Sequence, residues 1–183
     1  RLYLVDKPGA AQSEIRIGYV TDMRFDATGE YYRSTLMNYV LGAAFTSRIN
    51  LNLREDKGYT YGARSSFSST DYAGPFTASS SVLKDSTADS VRQFVYEIVG
   101  YREQGISTQE LDFMRAAITQ REALNYETPA QKAGFLSRMI RFDLPADVAA
   151  QQTRIVNSIT QAEINALAQE KLPFERMVIL VVG

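Results

Sequence analysis

The spacing of apolar residues changes along this chain, and the change limits the folds that it can adopt. Over residues 14–19 apolar side chains alternate with polar or small ones, a period of two that predicts a strand with one buried face. Residues 59–67 and 76–82 alternate in the same way on either side of a turn-rich cluster, which predicts a β-hairpin. Elsewhere the spacing is that of amphipathic helices, as over residues 91–99. The sequence therefore encodes both element types.

The order of the predicted elements indicates the fold class. It is strand, strand, helices, hairpin, several helices and a last strand, so strands and helices are grouped and do not strictly alternate. The last apolar run, residues 177–182, is typical of a strand that is central in its sheet or covered on both faces. We predict an α+β fold, a two-layer sandwich with a mainly antiparallel sheet packed against helices.

Residues that start or stop helices support this assignment. Gly58 follows a helical pattern and predicts its C-terminal end. Ser107 with Glu110, and Thr160 with Glu163, have the spacing of capping boxes. Helices are therefore expected to begin at these two positions, each ahead of a run of apolar residues.

The length of the chain favours one domain over residues 1–183. Its 183 residues are 45% hydrophobic and 22% charged, enough for a core and unlike a disordered chain. No linker divides it, and no signal peptide or run of eighteen apolar residues is present. Because it opens directly on a strand-like pattern, we expect it to be a fragment of a longer protein.

The absence of histidine and cysteine is the most informative feature of the composition. It excludes disulfides, thiol catalysis and a Ser-His-Asp system in this chain. Zinc seldom binds to carboxylates and carbonyls alone, so no metal site is expected here. The net charge of −1 makes nucleic acid or an anionic membrane an unfavourable main partner.

The segment LREDKGYTYG, residues 53–62, combines an arginine, a helix stop and alternating tyrosines. Taken alone, Arg54 is an exposed helical arginine and Tyr61 a half-buried strand tyrosine. Tyr59 would share a strand face with Tyr61. The helix also contains Arg48, for which pairing within the helix layer and pairing at a domain interface are equally open.

The longer sequence SRINLNLREDKGYTYG resembles the C-terminal, non-catalytic domain of the M16 family of zinc metallopeptidases, which includes pitrilysin, insulin-degrading enzyme and the mitochondrial processing peptidases. In that family a helix that reads roughly S-R-L-x-x-x-L-R-E precedes a short charged segment, a glycine and a strand with tyrosine. The order of elements along the whole chain fits as well. The matching residues are Ser47, Arg48, Ile49, Leu53, Arg54, Glu55, Gly58 and Tyr61.

The resemblance implies the M16/LuxS-like metallohydrolase fold and a division of labour. Zinc would be held in a sister domain by an H-x-x-E-H motif, and this chain would contribute no catalytic residue and no metal ligand. Arg54 and Tyr61 would bind the substrate backbone, with Tyr59 as a neighbour candidate. The chain would be inactive alone and would support a metalloendopeptidase by binding peptide and closing the chamber over the zinc.

Two alternative functions are also consistent with the sequence. A catalytically dead assembly module of the same superfamily would need neither Arg54 nor Tyr61. An unrelated α+β domain that binds peptide by adding a strand to its sheet edge is a third reading. The serine-rich runs at residues 65–70 and 77–81 predict a polar sheet face, which fits a chamber wall or contact with solvent. The resemblance allows a homodimer, and the export of many bacterial relatives favours the periplasm.

Overall fold

The protein is described by a computed structural model that covers residues 1–124 and 126–183. No helix within those ranges is both long and apolar enough to cross a membrane. The strands are β1 (Leu2–Val5), β2 (Gln12–Val20), β3 (Ala63–Phe67), β4 (Pro75–Leu83) and β5 (Val178–Val182). The helices are α1 (Glu30–Asn38), α2 (Arg48–Asn50), α3 (Thr87–Gln104), α4 (Thr108–Leu124), α5 (Pro129–Arg141), α6 (Val148–Ser158) and α7 (Gln161–Lys171). Single π-helical segments, Tyr39–Ala43 and Leu51–Asp56, continue α1 and α2.

The strands of the described chain form one sheet in the order β1-β5-β2-β4-β3. β2 pairs antiparallel with β4 and β5, and β3 with β4, whereas β1 and β5 run parallel. The predicted α+β class, the mainly antiparallel sheet and the β3–β4 hairpin are therefore confirmed. β5 lies between two strands, but its residues are mostly only partly buried, so this chain does not cover it on both faces.

One face of the sheet is apolar and packs against helices. Ile17 of β2 and Phe76 of β4 have no exposed surface, and the same is true of Phe94 and Ile98 of α3. Leu41, in the π-helical segment after α1, is fully buried as well. The alternation of the strands and the helical spacing of α3 thus meet in a single hydrophobic cluster.

The serine-rich runs do not form one polar face, because the strands alternate. Ser65 and Ser80 point to the helix side and are only 2% and 6% exposed. The Ser65 hydroxyl donates to Asn38 Oδ1, so its burial is compensated by a hydrogen bond. Ser66 and Ser81 lie on the opposite face, so the predicted polar face contains only alternate residues of these runs.

The predicted helix boundaries are confirmed. Gly58 has φ +66°, the left-handed conformation that glycine adopts without strain after a helix. The side chain of Glu110 accepts from the Ser107 N–H, and the Ser107 hydroxyl accepts from the Glu110 N–H. Thr160 and Glu163 form the same reciprocal pair.

Candidate functional site

Arg54 lies in the π-helical segment Leu51–Asp56, where its guanidinium is held by stacking. The Cζ atom is 4.3 Å from the centre of the Phe45 ring, and the side chain is 32% exposed. Nη1 is 3.2 Å from Glu55 Oε1, but this contact lacks hydrogen-bond geometry. Within the described residues this buried nitrogen has no hydrogen-bond partner. Arg54 therefore keeps spare donors in a fixed plane.

Tyr61 is 94% exposed and lies in the loop before β3, not on the strand as predicted. The backbone around it is held by hydrogen bonds. The Thr60 hydroxyl lies 2.7 Å from the Ser81 carbonyl and accepts from the Gly62 N–H at 3.1 Å. The Ser80 hydroxyl lies 2.9 Å from the Gly62 carbonyl. A phenol in contact with solvent is thus presented by an ordered loop.

Asn50 connects the surroundings of these two residues. Its Nδ2 donates to the Phe45 carbonyl at 2.6 Å, and its Oδ1 accepts from the Ala63 N–H at 2.9 Å. Phe45 is the ring against which Arg54 stacks, and Ala63 opens the strand that follows Tyr61. One buried amide side chain therefore fixes the backbone on both sides of the candidate site.

Tyr59 does not share a strand face with Tyr61, so that prediction is wrong. The chain turns between the two residues, and Tyr59 is partly buried against the core. Its hydroxyl donates to Asp89 Oδ2 at 3.1 Å, and this hydrogen bond, with burial, raises the pKa of Tyr59. This hydrogen bond ties Tyr59 to α3.

Arg48 pairs inside the helix layer, which answers the question that the sequence left open. Its Nε and Nη2 donate to the two carboxylate oxygens of Glu110, each at 2.6 Å, and Nη2 also donates to the Gly105 carbonyl at 3.0 Å. The guanidinium Cζ lies 4.7 Å from the centre of the Tyr101 ring. Arg48 is therefore committed to joining α2 with α4.

The pKa of Glu110 reflects this pairing. Partial burial alone would raise the pKa of the carboxyl, but hydrogen bonds from Arg48 and Ser107 outweigh it. The pKa of Glu110 consequently lies below its ordinary value, and the carboxylate stays charged at neutral pH.

A groove of about 490 Å³ lies at this end of the sheet, lined by residues of β2, β3 and β4, by the loop around Tyr61 and by the end of the π-helical segment after α1. Its lining includes Phe45, Asn50, Gly62, Arg64 and three serines of β4. The Phe45 ring borders the groove and also carries the Arg54 guanidinium. Tyr61 therefore lines this groove directly, whereas Arg54 does not line it and is linked to it through the Phe45 ring.

The donor set of the chain does not fit zinc. The sequence has no histidine and no cysteine, the ligands that zinc sites generally contain. Across residues 1–124 and 126–183, no three His, Cys, Asp or Glu side chains lie close enough together to hold a metal ion.

Comparison with known proteins identifies the family. The model of the family described as the peptidase M16 inactive domain matches residues 1–118. The chain belongs to this family. The resemblance read from the Ser47 to Tyr61 segment is thereby confirmed, and the match covers the whole candidate site.

Solved structures agree with the fold. A peptidase M16 inactive domain from Pseudomonas fluorescens aligns with TM-score 0.86 at 23% identity, over 100% of this chain and 42% of that chain. The inactive peptidase domain of a proposed zinc protease from Bordetella parapertussis aligns with TM-score 0.73 at 12% identity, over 92% and 90%. The ferredoxin protease FusC, in complex with Arabidopsis ferredoxin, aligns with TM-score 0.70 at 14% identity, over 100% and 20%. At these identities the similarity concerns the fold.

This M16 inactive domain is shorter than several of the chains that it matches. It spans less than half of the Pseudomonas fluorescens chain but nearly all of the Bordetella parapertussis domain. No curated protein matches the sequence.

Sequence reasoning missed Phe45 and Asn50, both of which shape the site. Asn50 sits inside a helical pattern, where an asparagine is unremarkable, and its bonds to Phe45 and Ala63 depend on the folded chain. Phe45 is 67% exposed, and a large exposed aromatic beside the motif is a signal only once its exposure is known.

Proposed function

We propose that this M16 inactive domain binds the backbone of a peptide substrate through Arg54 and Tyr61 and closes the substrate space over a zinc site in a sister H-x-x-E-H domain. The zinc domain would supply the hydrolytic chemistry. This chain would be inactive alone and would support proteolysis only together with that partner, in the same polypeptide or in a complex.

The unsatisfied donors of Arg54 carry the proposal. The Arg54 side chain is 32% exposed and contacts the Phe45 ring and the neighbouring Glu55 carboxylate, so its exposed N–H groups can donate to a ligand. A few residues away, the Tyr61 hydroxyl is held in solvent by an ordered loop. Tyr61 lines the groove on the sheet, and so does Phe45, the ring on which Arg54 stacks, so the two residues can offer donors to one ligand that is rich in acceptors.

A peptide backbone is such a ligand. Its carbonyl groups accept hydrogen bonds whatever the side chains are, so a guanidinium and a phenol can hold many sequences. The stacking of Arg54 on Phe45 fixes the plane of the donors, which lowers the entropic cost of binding. If one of the donors meets the scissile carbonyl, it also stabilises the negative charge that develops there, an effect of about 3 kcal/mol per donor.

A peptidase assay by complementation tests the proposal. Cleavage of a mixed peptide library in the presence of zinc would be measured for three samples. These are the chain alone, its H-x-x-E-H partner alone, and the mixture of the two. We expect cleavage by the mixture and none by the chain alone. Arg54→Ala and Tyr61→Phe should each lower kcat/KM of the mixture at least about tenfold.

The controls are an exposed arginine and an exposed tyrosine outside the groove. Arg92 on α3 has a side chain that is 74% exposed, and Tyr72 is 77% exposed in the β3–β4 turn. Arg92→Ala and Tyr72→Phe should leave kcat/KM unchanged. If Arg54→Ala and Tyr61→Phe also leave it unchanged, the domain acts as a lid or an assembly module and the backbone grip is refuted.

A further inference from the structure

Two arginines lie on the polar face of the sheet, on the two strands that flank β4, and both line the groove that contains Tyr61. Arg16 of β2 and Arg64 of β3 are both in register with Ser79 of β4, the strand between them. Residues that are directly opposite each other project from the same face of a sheet. With strands about 4.8 Å apart, the two backbone positions are roughly 10 Å apart, close enough for both side chains to meet one ligand over Ser79.

These arginines have no acidic partner within the chain as described. Neither Arg16 nor Arg64 takes part in any of the ion pairs found among residues 1–124 and 126–183. Glu14 lines the same groove, but its carboxylate accepts a hydrogen bond from the Ser81 hydroxyl of the neighbouring strand. Glu14 remains charged, so the groove with its two arginines and one glutamate has a net charge of +1, in a chain whose net charge is −1.

We propose that Arg16 and Arg64 form a subsite for the carboxylate of an aspartate or glutamate side chain in a bound peptide. The proposal rests on the peptide grip proposed above, because a peptide held at Tyr61 in this groove would extend across the two arginines. It adds a preference for acidic substrate segments to a backbone grip that is itself tolerant of sequence.

The chemistry fits a carboxylate better than other groups. A guanidinium presents paired N–H donors that match the two oxygens of a carboxylate, and two guanidinium groups can share one. Ser79 offers a hydroxyl between them as a further donor. A bound carboxylate also relieves the repulsion between two like charges on one face. Because the side chains are exposed, the interaction is screened by salt.

Binding of a matched peptide pair tests the subsite. The probe is a ten-residue peptide with blocked ends and one central glutamate, compared with the same peptide carrying glutamine. Both would be titrated into the 183-residue chain up to millimolar concentration, with chemical shifts as the readout. At low salt we expect the glutamate peptide to bind roughly fivefold more tightly. The preference should shrink when salt is raised, because the charges are exposed.

Variants assign the preference to the two arginines. Arg16→Gln and Arg64→Gln should each remove most of it, while Arg92→Gln, on α3 and outside the groove, should leave it intact. Glu14→Gln should increase it, because a competing negative charge is lost. A gain of preference cannot result from misfolding, so this variant keeps the test decisive. Equal binding of the two peptides, or a preference that survives both arginine substitutions, overturns the subsite.

The subsite and the backbone grip can fail separately. If Arg54→Ala leaves cleavage unchanged but the glutamate preference depends on Arg16 and Arg64, the grip is wrong and the subsite stands. If cleavage depends on Arg54 while the two peptides bind equally well, the grip stands and the subsite is wrong.

Discussion

Arg48 and Arg54 lie on one helical segment, yet the fold uses them in opposite ways. Both guanidinium groups are partly buried and both lie over an aromatic ring. Arg48 places its donors on Glu110 and on a backbone carbonyl, so it joins two helices. The Arg54 guanidinium contacts the Phe45 ring and the Glu55 carboxylate, and its Nη1 makes no hydrogen bond within the described structure. We infer from the comparison that Arg48 serves stability, because its donors are taken within the fold, and that the remaining donors of Arg54 suit its proposed role in binding.

The largest expected effect on stability comes from removing Arg48. Arg48→Ala leaves the partly buried Glu110 carboxylate without its main partner, and we expect the free energy of unfolding to fall by about 3 kcal/mol. Urea unfolding followed by circular dichroism measures the change. Arg54→Ala is the matched variant and should cost less than about 1 kcal/mol, the value of a stacking contact. Equal losses for the two variants would remove the distinction between them.

Asn50→Ala should have the next largest effect, because this side chain is hydrogen-bonded to the backbone of Phe45 and of Ala63, on both sides of the candidate site. The Ala63 N–H would lose its acceptor, and an unsatisfied buried amide costs about 2 kcal/mol. Cleavage by the assembled peptidase should fall as well, since Phe45 loses a hydrogen bond that positions it. Asn157→Ala, at an exposed position of α6, is the control and should alter neither quantity. A stable but inactive Asn50→Ala variant would contradict the expected loss of stability.

The pH dependence of stability sharpens the comparison further. The pKa of Glu110 is lower in the folded state, so its stabilisation is fully present above the ordinary value of 4.5 and is lost as the pH falls through the folded pKa. Stability should therefore decline as the pH falls below about 4.5, and Glu110→Gln should flatten part of this decline. Arg54→Ala should leave the slope unchanged. Urea unfolding at several pH values measures this dependence. If the unfolding free energy of Glu110→Gln falls with decreasing pH as steeply as that of the unmodified chain, ionisation of Glu110 does not contribute to stability.

The smallest effect on stability is expected at the two tyrosines, where the same substitution tests different roles. Tyr59→Phe removes the hydrogen bond to Asp89 and should lower the melting temperature slightly without affecting cleavage. Tyr61→Phe should leave the melting temperature unchanged and lower cleavage. The reverse pattern would mean that Tyr59, not Tyr61, contacts substrate.

Much of the fold could be predicted from the sequence because its signals are local. Alternation along β2 and β4, and the Ser107 and Thr160 capping boxes, depend on residues within a few positions of each other. The exposure of β5 could not be predicted in the same way. Its apolar run looks like that of a strand covered on both faces, and whether such cover exists depends on elements distant in sequence.

The candidate site could be predicted from the sequence only as a pair of positions. The resemblance indicates Arg54 and Tyr61, but the alternating pattern over residues 59–67 wrongly predicts that Tyr61 lies on a strand, since β3 begins only at Ala63. The loop that presents it depends on Thr60 and Ser80, which are twenty residues apart in sequence and 2.8 Å apart in space. The partners that separate Arg48 from Arg54 are likewise distant along the chain, so the sequence could not distinguish the two arginines.

The most direct test of the backbone grip measures two quantities on one variant. Arg54→Ala, combined with the zinc-binding partner, would be assayed for kcat/KM, and its unfolding free energy would be determined in parallel. We predict a loss of at least about tenfold in kcat/KM with a change in stability below about 1 kcal/mol. An unchanged kcat/KM in a folded Arg54→Ala variant would contradict the assignment of Arg54 to substrate binding.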